Sequence, residues 1–156
     1  MRAGLTILAL LVALIAGCSR TGEADQAVKG VVMRYTHLVA EGYANMNMTP
    51  LREVATVEES TRAYHHMAAL GEARTRMISH LKKMEFLEIA SPGEGRKVVR
   101  TRETWDFMHR HLDSDKVLLE EKDFIYLVTY ELQKEGDRWV ISRKTAMDGK
   151  PEPMKP

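Results

Sequence analysis

The sequence contains a single cysteine, only 6% aromatic residues and almost no excess of charge of either sign. One cysteine excludes an intrachain disulfide and any metal site built from several cysteines. Because 23 Lys and Arg residues face 22 Asp and Glu residues, bulk positive charge cannot drive nucleic-acid binding, and we expect no nucleic-acid partner. The 10 glycines and 5 prolines show no period, which argues against a fibrous or repeat protein. The remaining composition is typical of one globular domain.

The sequence also lacks an apolar run that is long enough to cross a bilayer. Residues 5–16 are almost wholly apolar and follow a basic start at Arg2. A membrane-spanning helix needs about 20 apolar residues, so this run is too short. A short apolar core behind a basic start is instead typical of a secretory signal peptide.

The apolar run ends in Ile15-Ala16-Gly17-Cys18, which resembles the lipobox of bacterial lipoproteins. The resemblance implies that the signal is cleaved between Gly17 and Cys18. It also implies that lipid, including palmitate, is attached to the sulfur and to the new amino group of Cys18. The alternatives are a plain signal peptide with a chance cysteine, or an N-terminal membrane anchor. In proteobacterial lipoproteins, a residue such as Ser19 in place of Asp favours the outer membrane. We therefore expect a cell-envelope protein held by lipid, facing the periplasm from the outer membrane if two membranes are present.

Composition divides the chain into four segments. Residues 1–17 form the predicted signal peptide, and the short polar segment 18–24 is a tether between lipid and domain. Residues 148–156 contain three prolines and little apolar surface, which predicts a disordered tail. The folded domain is therefore expected over 25–147, where packing without a disulfide must stabilise it.

Apolar spacings of three and four predict helices in the first half of the domain. An amphipathic helix is expected over 25–45, and Thr49 followed by Pro50 predicts a short helix over about 50–56. Thr56 and Glu59 match a capping box, so a third helix should begin there. A stripe of apolar side chains predicts that this helix continues to about residue 83: Ala63, Met67, Leu70, Met77, Leu81 and Met84. The alternative is one continuous helix that covers both the short helix and the third helix.

The second half of the domain changes to the alternation of β-strands. The predicted strands cover 85–90, 97 to about 108, and 124–132, and a last strand opens at 139–141. Turn signals at 91–95 and 135–137 separate neighbouring strands. Helices followed by hairpin-linked strands predict an α+β fold, in which helices cover one face of an antiparallel sheet of about four strands.

The order of elements and several strings resemble the NTF2-like superfamily, in particular the intermembrane-space-type domain of chloroplast-division and related membrane-associated proteins. The resemblance covers about 24–147 and rests on the opening helix and on the segments 51–56, 104–105, 126–132 and 136–141. It implies a curved sheet that helices wrap into a cone with a pocket. Superfamily members include enzymes, transport adaptors and non-catalytic binding modules, so the fold alone assigns no function.

Four residues are candidates for a pocket inside such a cone. Periodicity predicts that Arg74, Glu103 and Arg143 point inward, and Tyr126 lies on the most regular strand. A buried charge needs a partner, so Glu103 is expected to pair with Arg74 or with Arg143. The same residues could instead bind a small anion. The alternative is that each arginine extends to the edge of the domain.

Metal binding and cofactors are not expected. His65 and His66 point about 100° apart on a helix, and His109 and His111 supply only two of the three or four ligands that zinc needs. The methionines on the helical stripe suit a core better than a copper site. No Ser/His/Asp set is recognised in the domain. A Cys/His set is not available either, because the only cysteine, Cys18, precedes the domain.

These patterns predict a lipid-anchored, non-enzymatic envelope protein whose domain binds a protein partner. The basic strand around Arg96–Arg102 is expected to be solvated, although an acidic protein could dock there. The alternative is a small-ligand-binding protein or an enzyme that uses the cone.

Overall fold

The computed structural model describes the backbone of residues 4–149, with side chains from Gly22 onward. The elements in chain order are α1 (Gly4–Asn45), a 3₁₀ helix (Thr49–Glu53), α2 (Val57–Glu72), β1 (Thr75–Gly93), β2 (Arg96–His111), β3 (Val117–Glu135) and β4 (Arg138–Asp148). The strands form one antiparallel sheet in the order β1-β2-β3-β4, and the helices pack on it. The predicted α+β class with about four antiparallel strands is confirmed.

Helix α1 supplies one wall of the core. Val28 and Val32 are fully buried and Tyr35 nearly so, at the spacings that predicted an amphipathic helix. The helix ends at Asn45 as predicted, because Met46 adopts a φ of +55° and the chain turns back. The turn packs tightly on Gly42, where an added Cβ would lie 2.4 Å from the Met48 sulfur. The predicted tether at 18–24 has helical backbone as part of α1, and its role stays a prediction.

The segment between the two helices is short and firmly seated. The 3₁₀ helix has Pro50 near its start and buries Leu51 completely. Thr56 then caps α2 with its hydroxyl, which accepts from the Glu59 amide at 3.2 Å. The short helix and the start of the third helix are thus confirmed, and a single helix through both segments is wrong.

The predicted length of the third helix is wrong. Helix α2 ends at Glu72, and the chain is already in β1 at Thr75. The first strand therefore covers 75–93, where the sequence predicted only 85–90. Most of the residues expected on the second half of a long helix belong to the edge strand of the sheet.

A β-bulge in β1 explains why its sequence imitates a helix. Lys82 has no partner in β2, and this extra residue moves the following side chain to the opposite face. Met77, Leu81 and Met84 consequently lie on the same face of the strand, at spacings of four and three. These are also the spacings of one helical face. The apolar pattern alone therefore cannot distinguish the two structures here.

Arg74 forms the junction between α2 and β1. Its φ of +54° is a left-handed conformation, which is unfavourable for any residue other than glycine. Its guanidinium pairs with Asp113 in the loop after β2, and its carbonyl accepts from the Leu112 amide at 2.8 Å. The exposed pair holds the β2–β3 connection against the start of β1.

We expect Arg74→Gly to be more stable than Arg74→Ala by about 1 kcal/mol. Both variants lose the exposed ion pair, which contributes less than about 1 kcal/mol, but only glycine relieves the left-handed backbone. Urea unfolding of the two variants measures the difference. Equal midpoints would show that the positive φ at position 74 carries no cost.

The sheet has an inner face against the helices and an outer face that they do not cover. Ile141 in β4 connects the sheet to the helical layer through two backbone hydrogen bonds. Its amide donates to the Val54 carbonyl, and its carbonyl accepts from the Thr56 amide. At the other end, β4 continues to Asp148, and Gly149 donates to the Ile125 carbonyl at 2.8 Å. The predicted tail at 148–156 therefore begins inside a strand, and the rest of it lies beyond the described residues.

The predicted lipid-attachment site falls where side chains are not described. Gly17 and Cys18 lie within the backbone range of α1, ahead of the residues whose side chains the structure describes. Cleavage and acylation accordingly stay predictions. Within the described part of the chain, no helix is both long enough and apolar enough to span a membrane.

Candidate functional site

A cavity of about 330 Å³ lies between the helices and the inner face of the sheet. We call it the concave cavity. Its apolar walls are Val39, Met77, Trp105, Phe107 and Ala146, and its polar groups are Tyr43, His66, Ser79, Glu103, Tyr126 and Lys144. A mainly apolar space with a few converging polar groups is the usual form of a small-molecule site.

Glu103 forms the floor of the concave cavity and is only 1% exposed. Its Oε1 accepts from the hydroxyls of Thr101 at 2.8 Å and Tyr130 at 2.7 Å, and its Oε2 accepts from Trp105 Nε1 at 2.9 Å. Three donors within the fold therefore solvate the carboxylate, which is how a buried charge is tolerated. The prediction that Glu103 points inward is confirmed by its burial.

The hydroxyl of Tyr130 extends this network towards α1. It lies 3.2 Å from the Thr36 hydroxyl, which also donates to the Val32 carbonyl at 2.8 Å. Burial first, and then the charge of Glu103, raise the pKa of Tyr130 well above its ordinary value. The phenol therefore keeps its proton and serves as a permanent donor to Glu103.

A second buried carboxylate, Glu59, lies at the start of α2. Its Oε1 accepts from the Tyr35 hydroxyl at 2.6 Å, and its Oε2 accepts from Arg62 Nη2 at 2.7 Å. Tyr35 also contacts the ring of Tyr130 edge to face, with centroids 5.9 Å apart. Burial raises the pKa of Tyr35, so this phenol likewise remains a donor.

The use of Glu59 differs from the capping box that the sequence predicted. In a capping box its carboxylate would accept from the amide of Thr56. That amide already donates to the Ile141 carbonyl at 2.9 Å, so the Glu59 side chain is released to bind Tyr35 and Arg62. A backbone hydrogen bond to β4 therefore takes the place of one of the two hydrogen bonds of the capping box.

Tyr43 and His66 form a hydrogen-bonded pair at the rim of the concave cavity. The Tyr43 hydroxyl lies 2.5 Å from His66 Nδ1, and the rings meet edge to face. Burial, followed by the charge of Glu59, raises the pKa of Tyr43 to about 12, so the phenol is protonated at neutral pH. Either the phenol or Nδ1 supplies the hydrogen of this bond, depending on the tautomer of His66.

The predicted pairing of Arg74 with Glu103 is wrong. Arg74 is not on a helical stripe but at the α2–β1 junction, where its side chain is exposed and pairs with Asp113. That pairing lowers the pKa of the Asp113 carboxyl, mainly through the hydrogen bond from Arg74. The left-handed backbone at position 74 turns the chain between helix and strand, and so removes Arg74 from the cavity.

The predicted inward position of Arg143 is also wrong, because β4 contains a bulge. Glu131 pairs with Arg143 and Leu132 pairs with Ile141, so Ser142 is the extra residue. The bulge shifts the alternation by one, which leaves Arg143 exposed and turns Lys144 towards Glu103 and the cavity. No signal in the sequence marks Ser142 as a bulge.

Lys144 is therefore the cation that sequence reasoning missed. It is half-buried and lines the cavity, yet within the described part of the chain it forms no hydrogen bond or ion pair. Burial lowers the pKa of its ammonium, and the nearby charges of Glu103 and Glu59 oppose this only in part. The ammonium is thus attracted by two carboxylates without a direct hydrogen bond to either.

We expect Lys144→Met to raise the free energy of unfolding at pH 7 by about 1 kcal/mol, because the variant buries no charge. The sign follows from the lowered pKa. Between that pKa and the ordinary value of 10.5, the unfolded chain binds the proton more strongly, so wild-type stability rises with pH. The advantage of methionine should therefore shrink as the pH approaches 10.5. Urea unfolding at pH 7 and at higher pH measures this, and an unchanged difference would contradict it.

Tyr126 is the predicted pocket residue that the structure does place at the cavity. It is half-buried, and its ring contacts Phe107 and Phe124, with centroids 5.7 and 4.7 Å apart. Burial, followed by the charges of Glu121 and Asp148, raises the pKa of its phenol. The structure thus brings Glu103 and Tyr126 to one cavity and leaves both predicted arginines outside it.

A groove of about 500 Å³ adjoins the concave cavity along α1 and β1. Met33, His37 and Glu41 line it on the helix side, and Ser79 and Trp105 belong to both spaces. The groove and the cavity are therefore neighbours along these two side chains.

The histidines and methionines considered as metal ligands have other surroundings. Among residues with described side chains, no group of three or more His, Cys, Asp or Glu residues comes together as a metal site. His111 Nδ1 accepts from the amide of Asp113 at 3.3 Å. Met67 is buried in the core, and Met77 and Met84 pack against it.

Comparison with known proteins establishes the fold. No model of a known protein family matches the chain, and no curated protein matches it. Among solved structures it is similar to the intermembrane space region of the chloroplast protein ARC6, with a TM-score of 0.65 and 12% identity, over 80% of this chain and 96% of that one. It is also similar to a periplasmic fragment of TraM, with a TM-score of 0.54 and 6% identity, over 78% of this chain and 98% of that one. At these identities the likeness concerns the fold alone, and it agrees with the resemblance to an intermembrane-space-type domain.

Proposed function

We propose that this protein is a lipid-anchored, non-enzymatic component of the cell envelope, and that its NTF2-like domain binds another protein. The lipobox-like string at 15–18 supports the anchor. The two similar structures come from an intermembrane space and a periplasm, which supports an envelope location. The proposed partner is a protein, because of what the outer face of the sheet exposes.

The outer face of the sheet is the observation that carries the interaction proposal. The helices cover the inner face, whereas Leu87 in β1 and Met147 in β4 are 56% and 62% exposed. Together with Leu127 and Arg100 they line a shallow depression of about 250 Å³. Arg100 pairs with Glu88, so the depression is apolar without an excess of charge. Clustered exposed apolar side chains mark interaction surfaces in folded proteins.

A non-enzymatic role is supported by how the cavity's acidic group is used. Glu103 already accepts three hydrogen bonds within the fold, so its lone pairs are largely occupied. A general acid or base must reach the substrate's proton directly or through one water. Glu103 is better suited to stabilising the sheet than to exchanging protons with a substrate.

We expect Cys18→Ser to abolish acylation and to release the protein from the membrane fraction. Only the thiol of Cys18 can carry the thioether-linked lipid, and durable anchoring needs at least two acyl chains. Labelling with a clickable palmitate analogue, intact mass and membrane fractionation measure the change. Ser19→Cys in the Cys18→Ser background shifts the thiol by one position and serves as a control. An unchanged mass and membrane fraction in Cys18→Ser would refute the anchor.

Placement in the outer membrane rests on Ser19 and has its own test. In a host with two membranes, Ser19→Asp is expected to move the protein to the inner-membrane fraction of a sucrose gradient. The Ser19→Thr variant is the matched control and should remain with the wild type. If Ser19→Asp leaves the distribution unchanged, this residue does not direct sorting.

Site-specific photo-crosslinking in cells tests the interaction surface. A photoreactive amino acid at position 87 or 147 should yield a discrete adduct with one identifiable protein, and the same probe at the exposed position 65 on α2 should not. Leu87→Asp should remove the adduct obtained at position 147. If positions 65, 87 and 147 give the same adducts, the outer face is not the binding surface.

A further inference from the structure

The concave cavity holds a charged group that makes no hydrogen bond within the described fold. Lys144 lies on the inner face beside Tyr130, its register partner in β3. Neither buried carboxylate bonds to it: Glu103 accepts from Thr101, Trp105 and Tyr130, and Glu59 accepts from Tyr35 and Arg62. An ammonium placed in such a site, with its hydrogen-bond donors unused, calls for an acceptor from outside the chain.

The remainder of the cavity is suited to an apolar body. Trp105 and Phe107 stack with centroids 5.8 Å apart, and Tyr126 meets Phe107 edge to face. Val39 on α1 and Met77 on β1 also line the cavity. The volume of about 330 Å³ is at the lower end of small-molecule sites, which span about 300–1,000 Å³. A flat ring or a short chain fits these surroundings better than a large polar ligand.

The cavity contains a second side chain with an unused donor. Tyr126 lines the same cavity, and its hydroxyl forms no hydrogen bond within the described part of the chain. Its raised pKa keeps the phenol protonated at neutral pH. An anionic oxygen pair would therefore find unused donors on both side chains, while the three hydrogen bonds to Glu103 occupy the lone pairs of its carboxylate.

We propose that the concave cavity binds a small, mainly apolar monocarboxylate. Lys144 Nζ donates to the carboxylate, the Tyr126 hydroxyl assists, and the body of the ligand packs against Trp105 and Phe107. The ligand enters along the groove beside α1. This site is independent of lipid anchoring and of the outer face of the sheet. A test of the site can therefore fail without affecting the proposed function.

Calorimetric titration of the full chain with three probes that share one body tests the site. The probes are phenylbutyrate, phenylbutanol and phenylbutylamine, which differ only in the head group. Phenylbutyrate should bind most tightly, the alcohol at least about tenfold more weakly, and the amine not measurably, because a bond to a charged donor contributes more than a neutral one. Equal binding of acid and alcohol, or tighter binding of the amine, would overturn the proposal.

Substitutions then assign the binding to Lys144. Lys144→Met should weaken phenylbutyrate at least about tenfold and leave phenylbutanol nearly unchanged. Lys134→Met is the matched control, since Lys134 is exposed and lies over Trp139, outside the cavity. If Lys144→Met does not affect phenylbutyrate, or if Lys134→Met weakens it equally, Lys144 is not the anchor.

A measurement on the unmodified side chain keeps the proposal testable should Lys144→Met fold poorly. In NMR spectra of the wild type, phenylbutyrate should shift the signals of the Lys144 side chain and the Trp105 indole N–H in a saturable way. Ser79→Trp should fill the space that the cavity shares with the groove and reduce binding of acid and alcohol alike. Shifts confined to residues outside the cavity would rule the site out.

Discussion

Replacing Glu103 with leucine is expected to lower the free energy of unfolding by about 3–5 kcal/mol. The substitution leaves the hydroxyls of Thr101 and Tyr130 and the indole N–H of Trp105 without an acceptor in the core. Each orphaned buried donor costs about 1–3 kcal/mol, and the three share one site, so their costs are not fully additive. Urea unfolding followed by tryptophan fluorescence measures the loss.

Two further variants separate the network from a general effect of substitution. Glu103→Gln keeps an oxygen for two donors but turns an N–H₂ group towards Trp105, so we expect a smaller loss of about 1–2 kcal/mol. Glu131→Leu changes the same residue type on the exposed face of β3 and should stay within about 0.5 kcal/mol of wild type. If Glu103→Leu were no less stable than Glu131→Leu, the buried network would contribute nothing to stability.

Leu51→Ala is expected to cost about 3 kcal/mol. Leu51 is fully buried in the 3₁₀ helix, where it joins the core formed by α1 and β4. Removing a buried leucine loses its transfer free energy and leaves a cavity, which together cost about 2–5 kcal/mol. The expected loss is large because the same segment leads directly to Val54, whose carbonyl accepts from the Ile141 amide at 2.8 Å.

The exposed Leu87 provides the matched control for this substitution. It is 56% exposed on the outer face, so Leu87→Ala should change the free energy of unfolding by less than about 0.5 kcal/mol. In thermal and urea unfolding, Leu51→Ala should be much less stable than Leu87→Ala. The opposite order would mean that the core is not where the structure places it.

The sequence was most informative where one local rule acted alone. Apolar spacing located the helix that ends at Asn45, and Thr56 marked the start of α2, because both features depend only on neighbouring residues. β-Branched and aromatic residues identified the strand around 97–108, and alternation identified the one at 124–132; only their lengths were underestimated. The burial of Glu103 was also predictable, since it shares a strand face with Trp105 and Val99.

The failures have a common cause in β-bulges. The bulge at Lys82 gives β1 the spacing of a helix, and the bulge at Ser142 exchanges the faces of Arg143 and Lys144. A bulge is set by pairing with the neighbouring strand, so it depends on residues distant in sequence. Consequently the cation of the concave cavity was assigned to the wrong residue, although a neighbouring position carries it.

Three features can be read from the sequence without the structure: the lone cysteine, the near-neutral net charge, and the order of helices before strands. They predict the lipid anchor, exclude bulk binding of nucleic acid and define the α+β class, because signal motifs, charge and periodicity are local properties. Only the tertiary structure decided which charges enter the concave cavity. The left-handed turn at Arg74 and the bulge at Ser142 direct two arginines outward and Lys144 inward. Side-chain direction in a sheet depends on strand register, and register forms only when the strands meet.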